Sequence, residues 1–381
     1  MTATLNKPTL DKPAPGKPAR PAVPPATTRA RTGGVAVVLG SRPEIFPLAP
    51  VLCALGDLAR VVRVQGDLPA FTDQPPVLRD TAADPRTGRI ATALDDLDRV
   101  FAADRPDVVV VRGATTAALA GALAANAGGI PLVHLDAGLR SRDLAVPEEH
   151  NRVLVDRLSD VLCAPTPTAA ANLRAEGLGG RDVRLTGNTT PEAVGHRLIA
   201  EPDRHKVLAK WGLRPDNYVL ATLDRPENVD QPALTRQLAR IAEAGHPVLL
   251  PADPKVRAAL IRSSALSGAT NLRLVNRLWH SEFLALAAHA ALLVTDSGAV
   301  QEEATVLKRP VLVVRRSVER PEVLRDFGRL ATPFDLADAA LDWLADGTTV
   351  RAALRDLPCP FGDGRASARI ARAVHDLVRT R

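Results

Sequence analysis

The residues best suited to chemistry lie in one stretch, 295–322, where Asp296-Ser297-Gly298-Ala299 is followed closely by Glu302 and Glu303. A Ser-Gly-Ala turn opening a helix leaves several backbone N–H groups unpaired. Those donors and the helix dipole together favour an anion, typically a phosphate. The paired carboxylates one turn further in suit the diol of a ribose. A plain helix cap by Asp296 or Ser297 accounts for the same turn equally well at this level. Residues 291–294 read as a buried strand, 300–308 as a helix and 310–314 as a second strand. The unit is therefore strand, turn, helix, parallel strand.

The same unit repeats along the chain. Strands are predicted at 35–39, 60–64, 108–111, 131–135, 161–164 and 182–185, and again at 218–223, 247–250 and 272–275, with helical spacing between them. Such alternation specifies an α/β fold with parallel sheets covered on both faces. A charged segment at 201–216 breaks the pattern and reads as an interdomain linker. The expected organisation is a Pro/Lys-rich tail at 1–32, a Rossmann-like domain at 33–200 completed by a C-terminal helix at 365–381, and a second Rossmann-like domain at 201–364. The doubly wound domains face a cleft, and ligands in such sheets sit beyond the carboxyl ends of the strands.

Composition excludes several classes. The formal net charge of +6 is concentrated in residues 1–32, which hold a net +5, so no basic body remains for nucleic acid. Cys53, Cys163 and Cys359 lack metal-binding spacing and read as thiols in a reducing cytosol. No run reaches the roughly 20 apolar residues of a membrane span, and no secretory signal is evident. The expected location is cytoplasmic.

Seven turns then occur in an order and spacing that resemble the UDP-N-acetylglucosamine 2-epimerases, two-domain proteins of the GT-B fold. They are Gly40-Ser41-Arg42-Pro43-Glu44, the run from His134 to Ser141, Pro147-Glu148-Glu149-His150-Asn151-Arg152, Thr186-Gly187-Asn188, Arg225-Pro226-Glu227-Asn228, the run from Asp296 to Glu303, and Glu319-Arg320-Pro321-Glu322. The resemblance implies a UDP-sugar in the cleft and chemistry without metal or cofactor. It implies that Arg42 meets the diphosphate, with Ser297, Gly298 and Ala299 supplying donors from the other side. Glu303 would hold the ribose hydroxyls and Phe283 would lie against the uracil. Asn188, Arg225 and Arg320 belong to the same binding set, with Arg315 as a further cation. Dimerisation through the N-terminal domain is common in the family, so a homodimer is possible.

The sequence departs from that family where protons move. Ala114 stands where the resemblance expects an Asp, Asp136 where it expects a Glu, and Asp224 where it expects a His; Glu148 is retained. Pro47 and Pro251 replace a Lys and a His. Losing one positioned acid or base costs ~10²–10⁴ in rate. These changes lead to the expectation of a glycosyltransferase that moves a UDP-linked sugar, UDP-GlcNAc first, to a small-molecule acceptor. Asp136, Glu148, Asp224 and His134 are its candidate catalytic residues. The alternatives are a UDP-GlcNAc 2-epimerase, non-hydrolysing or hydrolysing, and a UDP-sugar-binding protein without turnover. The altered turns suggest a specialised metabolic setting.

Overall fold

The structure, a computed structural model, describes residues 34–40, 42–64, 86–229, 231–262 and 270–379. The expected tail at 1–32 and most of the loop at 68–88, expected to shape an acceptor pocket, lie outside the described residues.

Strands β1 (Val35–Leu39), β2 (Ala59–Arg63), β3 (Val108–Arg112), β4 (Leu132–Leu135), β5 (Val161–Ala164) and β6 (Asp182–Leu185) form one parallel sheet in the order β2-β1-β3-β4-β5-β6. Strands β7 (Val219–Thr222), β8 (Val248–Ala252), β9 (Leu272–Asn276), β10 (Leu292–Thr295), β11 (Val311–Val314) and β12 (Gly328–Ala331) form the second, in the order β12-β11-β10-β7-β8-β9. The register places Val37 opposite Val61 and Val110 in the first sheet, and Val294 opposite Ala221 and Leu312 in the second. The two-domain α/β architecture expected from the alternation is present.

Burial explains which strands are central. β1, β4, β5, β10 and β11 are buried along their whole length and are apolar apart from His134 in β4 and Thr295 at the end of β10, as suits strands covered on both faces. The outer strands β6 and β9 keep Arg184 and Arg273 and are only partly covered. Polar side chains on an edge discourage pairing with another chain.

Strand order reverses between β1 and β3 in one sheet and between β7 and β10 in the other. At such a reversal the flanking helices leave in opposite directions and open a crevice at the carboxyl ends. Gly40 and the turn at 113–115 lie at the first crevice, and the turns at 224–228 and 296–299 at the second.

The final helix Ala366–Arg379 buries Ile370, Ala373 and Val374 against Val35, Leu48 and Val51, beside the first sheet. The charged segment at 201–216, expected as a linker, contains the helix Glu201–Lys210. Its Leu208 packs with Leu213 and Tyr218 near the second sheet. Charge on its exposed face had masked a narrow apolar stripe. Gly138 is required by close packing. Its φ is +80°, and an added Cβ would stand 2.2 Å from the Ala169 carbonyl oxygen. No helix among the described residues is long and apolar enough to cross a membrane.

Candidate active site

Neither Asp296 nor Ser297 caps the helix that follows β10 through its side chain. Asp296 is 1% exposed and works on its neighbour. Its carboxylate accepts from the backbone N–H of Asp224 and of Arg225, each at 3.0 Å, and from Asn228 Nδ2 at 3.0 Å. It thus ties the turn after β7 to the turn after β10. Ser297 occupies the N-cap of the helix Gly298–Val306, yet its side chain makes no capping bond. The start of that helix keeps its anion-binding donors.

Gly298 is small for a stated reason. A Cβ there would lie 2.6 Å from Arg320 Nη1. The Arg320 guanidinium is therefore pressed against the first turn of the helix, adding cationic charge to its positive end.

A cavity of about 340 Å³ opens at this point, lined from both domains. The first contributes Phe46, Pro47, Thr190 and Val194. The second contributes Asp224, Asp253, His280, Phe283, Ser297, Ala299 and Glu303, with Pro251 and Arg277. Phe46 stacks on His280 with ring centroids 4.4 Å apart, and the Arg197 guanidinium carbon lies 4.2 Å from the Phe46 centroid. His280 Nε2 meets Glu303 Oε1 at 2.6 Å. That bond orients the Glu303 carboxylate within the cavity wall. Glu302, its neighbour, is fully buried and turned elsewhere.

Glu302 belongs to a belt of charge crossing between the domains. It accepts from Thr190 Oγ1 and from Arg320 Nε, each at 2.5 Å, and Arg112 stands 3.9 Å away. Arg112 pairs with Asp136 at 2.8 Å, and Asn188 Nδ2 donates to the other oxygen of Asp136 at 3.1 Å. Asp136 holds a left-handed backbone, φ +63°, which is uncommon outside glycine and concentrates at functional sites. Glu319 gathers Arg320 at 2.5 Å, Arg315 at 2.8 Å and Arg152 at 3.5 Å. Burial alone would raise the Glu319 carboxyl, but these three cations hold it down at about 2. Arg320 is shifted the opposite way. Burial would lower it, and Glu302 and Glu319 more than offset that.

Asp224 differs from these paired acids. Its side chain is open to the cleft, and its pKa is raised above the ordinary carboxylate value. Desolvation by the surrounding protein is the main cause. Arg277 opposes it, while Asp296 and Asp253 add repulsion.

The remaining predicted residues are placed as follows. His134 is fully buried, with Nδ1 on Asp156 at 2.7 Å and Nε2 on the Gly113 carbonyl at 2.9 Å. Both ring nitrogens are occupied, so its geometry is that of a positioning residue. Asp156 is lowered: burial opposes ionisation, and the His134 and Arg140 charges prevail. Glu148 is exposed in the first turn of the helix Pro147–Leu158, and the buried carboxylate there is Glu149, bound to Ser141, Arg142 and Arg152. His150 Nε2 contacts the Leu144 carbonyl. Arg225 pairs with Glu227 at 3.2 Å. Arg42 opens the helix Arg42–Leu55, and its side chain lies outside what the structure describes.

Arg112, Thr190, His280 and Phe46 were not anticipated as site residues. Arg112 offered a signal, since a cation ending a run of four valines in a central parallel strand needs a partner beyond the strand. Nothing in the local sequence marks the other three, because each gains its partner from the opposite part of the chain or from a distant helix.

Comparison with known proteins extends this geometry. A sequence profile described as UDP-N-acetylglucosamine 2-epimerase matches residues 73–375. The UDP-N-acetylglucosamine 2-epimerase of Methanococcus maripaludis is 33% identical over 316 residues, covering 76% of this chain and 85% of the relative. The UDP-2,3-diacetamido-2,3-dideoxy-D-glucuronate 2-epimerase of Pseudomonas aeruginosa is 32% identical over 295 residues, covering 75% and 78%. The crystal structure of Methanocaldococcus jannaschii UDP-GlcNAc 2-epimerase in complex with UDP-GlcNAc and UDP superimposes with a TM-score of 0.77 at 29% identity, covering 90% of this chain and 99% of that one. These relatives overturn the expectation of glycosyl transfer to a small acceptor. The changed proton-handling residues had been read as a change of reaction, whereas the likeness extends over most of the chain to proteins named as 2-epimerases. With both crevices, the helix start at Gly298 and the Glu303 wall in place, the chain belongs to the UDP-N-acetylglucosamine 2-epimerase family of nucleotide-sugar enzymes.

Proposed function

We propose that the protein binds a UDP-linked 2-acetamido sugar in the interdomain cavity and inverts its configuration at C2. The observation that carries this is the uncapped start of the helix Gly298–Val306 opening onto a two-domain cavity beside Glu303. The diphosphate rests on the N–H groups of Gly298 and Ala299, since the Ser297 N–H is taken by Thr295 Oγ1 at 3.0 Å, with the Arg320 charge behind them. The ribose diol is held by Glu303, itself fixed by His280, and the uracil lies against Phe283. The UDP-GlcNAc and UDP bound by the M. jannaschii enzyme support this choice of ligand.

The reaction needs a proton removed from C2 as the C1–O bond to the diphosphate breaks. The bonding pair leaves with UDP and a C1=C2 double bond remains. UDP then returns to C1 while a proton is delivered to the opposite face of C2. Two groups serve such a cycle, one that takes the proton and one that gives it. Asp136, anchored by Arg112 and Asn188, is assigned as the carboxylate that accepts the proton. Asp224, whose burial raises its pKa, is assigned as the group that supplies one. Glu148 is exposed in the first turn of its helix and is given no step, and His134 keeps the β4 turn in shape. Ala114 cannot move a proton, so this division of labour differs from that implied by the family motif.

The decisive experiment is incubation with UDP-GlcNAc in deuterated buffer, followed by NMR. Formation of the C2 epimer with deuterium at C2 is expected. Saturable binding without deuterium uptake would leave a UDP-sugar-binding protein and overturn the epimerase assignment.

A further inference from the structure

We propose that Glu201, His205 and His289 form a binding site for one divalent transition-metal ion of the zinc class, away from the interdomain cavity. Glu201 and His205 lie one turn apart on the helix Glu201–Lys210, where residues i and i+4 share a face. His289 comes from the turn between the helix His280–Ala287 and β10. One ligand atom from each of the three residues falls within 4.8 Å of the others. Glu201 Oε1 is 3.5 Å from His289 Nε2 and 3.8 Å from His205 Nδ1. Tetrahedral ligands at ~2.0–2.1 Å from zinc stand ~3.3 Å apart, so small side-chain rotations close the set.

A second observation points into the same space. His289 is 9% exposed, and its Nε2 has no hydrogen-bond partner among the described residues. A buried ring nitrogen left without a partner is costly unless something binds it. The arginines near His289 are themselves occupied. Arg204 pairs with the second oxygen of Glu201, and Arg309 with Asp216. His205 Nδ1 currently lies 3.1 Å from the Glu201 carbonyl, a contact the ring gives up on binding. Two imidazoles and one carboxylate favour zinc, cobalt, nickel or copper over magnesium or calcium, which prefer all-oxygen ligands. Three protein ligands leave the fourth position to water on the exposed side.

The ion would fasten the first helix of the 201–216 segment to the turn that leads into β10. That strand ends at Thr295, directly before Asp296 and Ser297, so the clamp would stiffen the base of the anion turn without touching its ligand.

The site is tested on the untagged full-length protein after chelator treatment. Zinc is titrated against a chromogenic chelator, and cobalt serves as a spectroscopic probe of four-coordinate geometry. One equivalent is expected, with visible cobalt bands and a rise in Tm on zinc addition. His289→Ala should abolish all three. Glu201→Gln, on the exposed side of the helix, should weaken affinity by more than the ~10–100-fold typical of losing an outer-shell partner. Unchanged zinc stoichiometry and affinity in Glu201→Gln would overturn the site even if His289→Ala failed to fold. So would the absence of cobalt bands in the parent protein.

Discussion

Replacing Thr190 with Val removes one hydroxyl proton and tests whether the domains are joined by Glu302. Thr190 Oγ1 donates to Glu302 Oε2 at 2.5 Å, inside a region where Glu302 has no exposure. A hydrogen bond to a charged group contributes about 1.5–3 kcal/mol. Val fills nearly the same space, so no cavity is added to that figure. Glu302 retains Arg320 at 2.5 Å, so the carboxylate does not become an unpaired buried charge. The expected loss is therefore about 2 kcal/mol, short of the ~3–5 kcal/mol seen when a buried pair is broken outright. Urea unfolding followed by far-UV circular dichroism reads the whole chain. Tryptophan fluorescence reads Trp211, Trp279 and Trp343, all beyond the first sheet in sequence. The sharper assay is a double-mutant cycle with Glu302→Gln. Independent sites add within ~0.3–0.5 kcal/mol. A coupling no larger than that would refute the cross-domain bond.

Gly138→Ala should destabilise by about 2–5 kcal/mol, combining a left-handed backbone with a collision at the Ala169 carbonyl, and thermal unfolding of the purified variant measures it. Glu319 is held at about 2 against an ordinary value of 4.5, so its folded pKa lies below its unfolded one. The stability it contributes, roughly 3 kcal/mol, is present above pH 4.5 and disappears as pH falls from there towards 2. Glu319→Gln should flatten unfolding free energy against pH over that window, and a slope equal to that of the parent would contradict the assignment. Asp224→Asn should lower the rate of C2 deuterium exchange by ~10²–10⁴ while UDP affinity, measured by calorimetry, changes less than tenfold. Equal losses in both would make Asp224 a binding residue.

The parallel sheets were legible because buried strands such as Val35–Leu39 and Val311–Val314 are unbroken apolar runs between helical repeats. The turn at 296–299 was legible as a helix start from its Ser, Gly and Ala, but its residue types alone left a cap and an anion site equally open. The reaction was misread for a physical reason. Single replacements such as Ala114 and Asp224 say what a position can no longer do, but the rest of the chain decides what its neighbours can supply. Glu302 and Glu303 show the limit most clearly. They are adjacent and identical in type, yet one is locked between Thr190 and Arg320 and the other faces the cavity with His280. Helical phase determines that outcome, and the partners come from elements more than a hundred residues apart in one case.

Asp296 ties the turn after β7 and leaves its own helix uncapped. That arrangement sets heat resistance against recognition at one position. A Ser297→Asp change would cap the helix and place a fixed negative charge at the proposed diphosphate site. Selection for thermal tolerance alone would favour such a variant, and the protein would then hold its own carboxylate as a permanent competitor of its substrate.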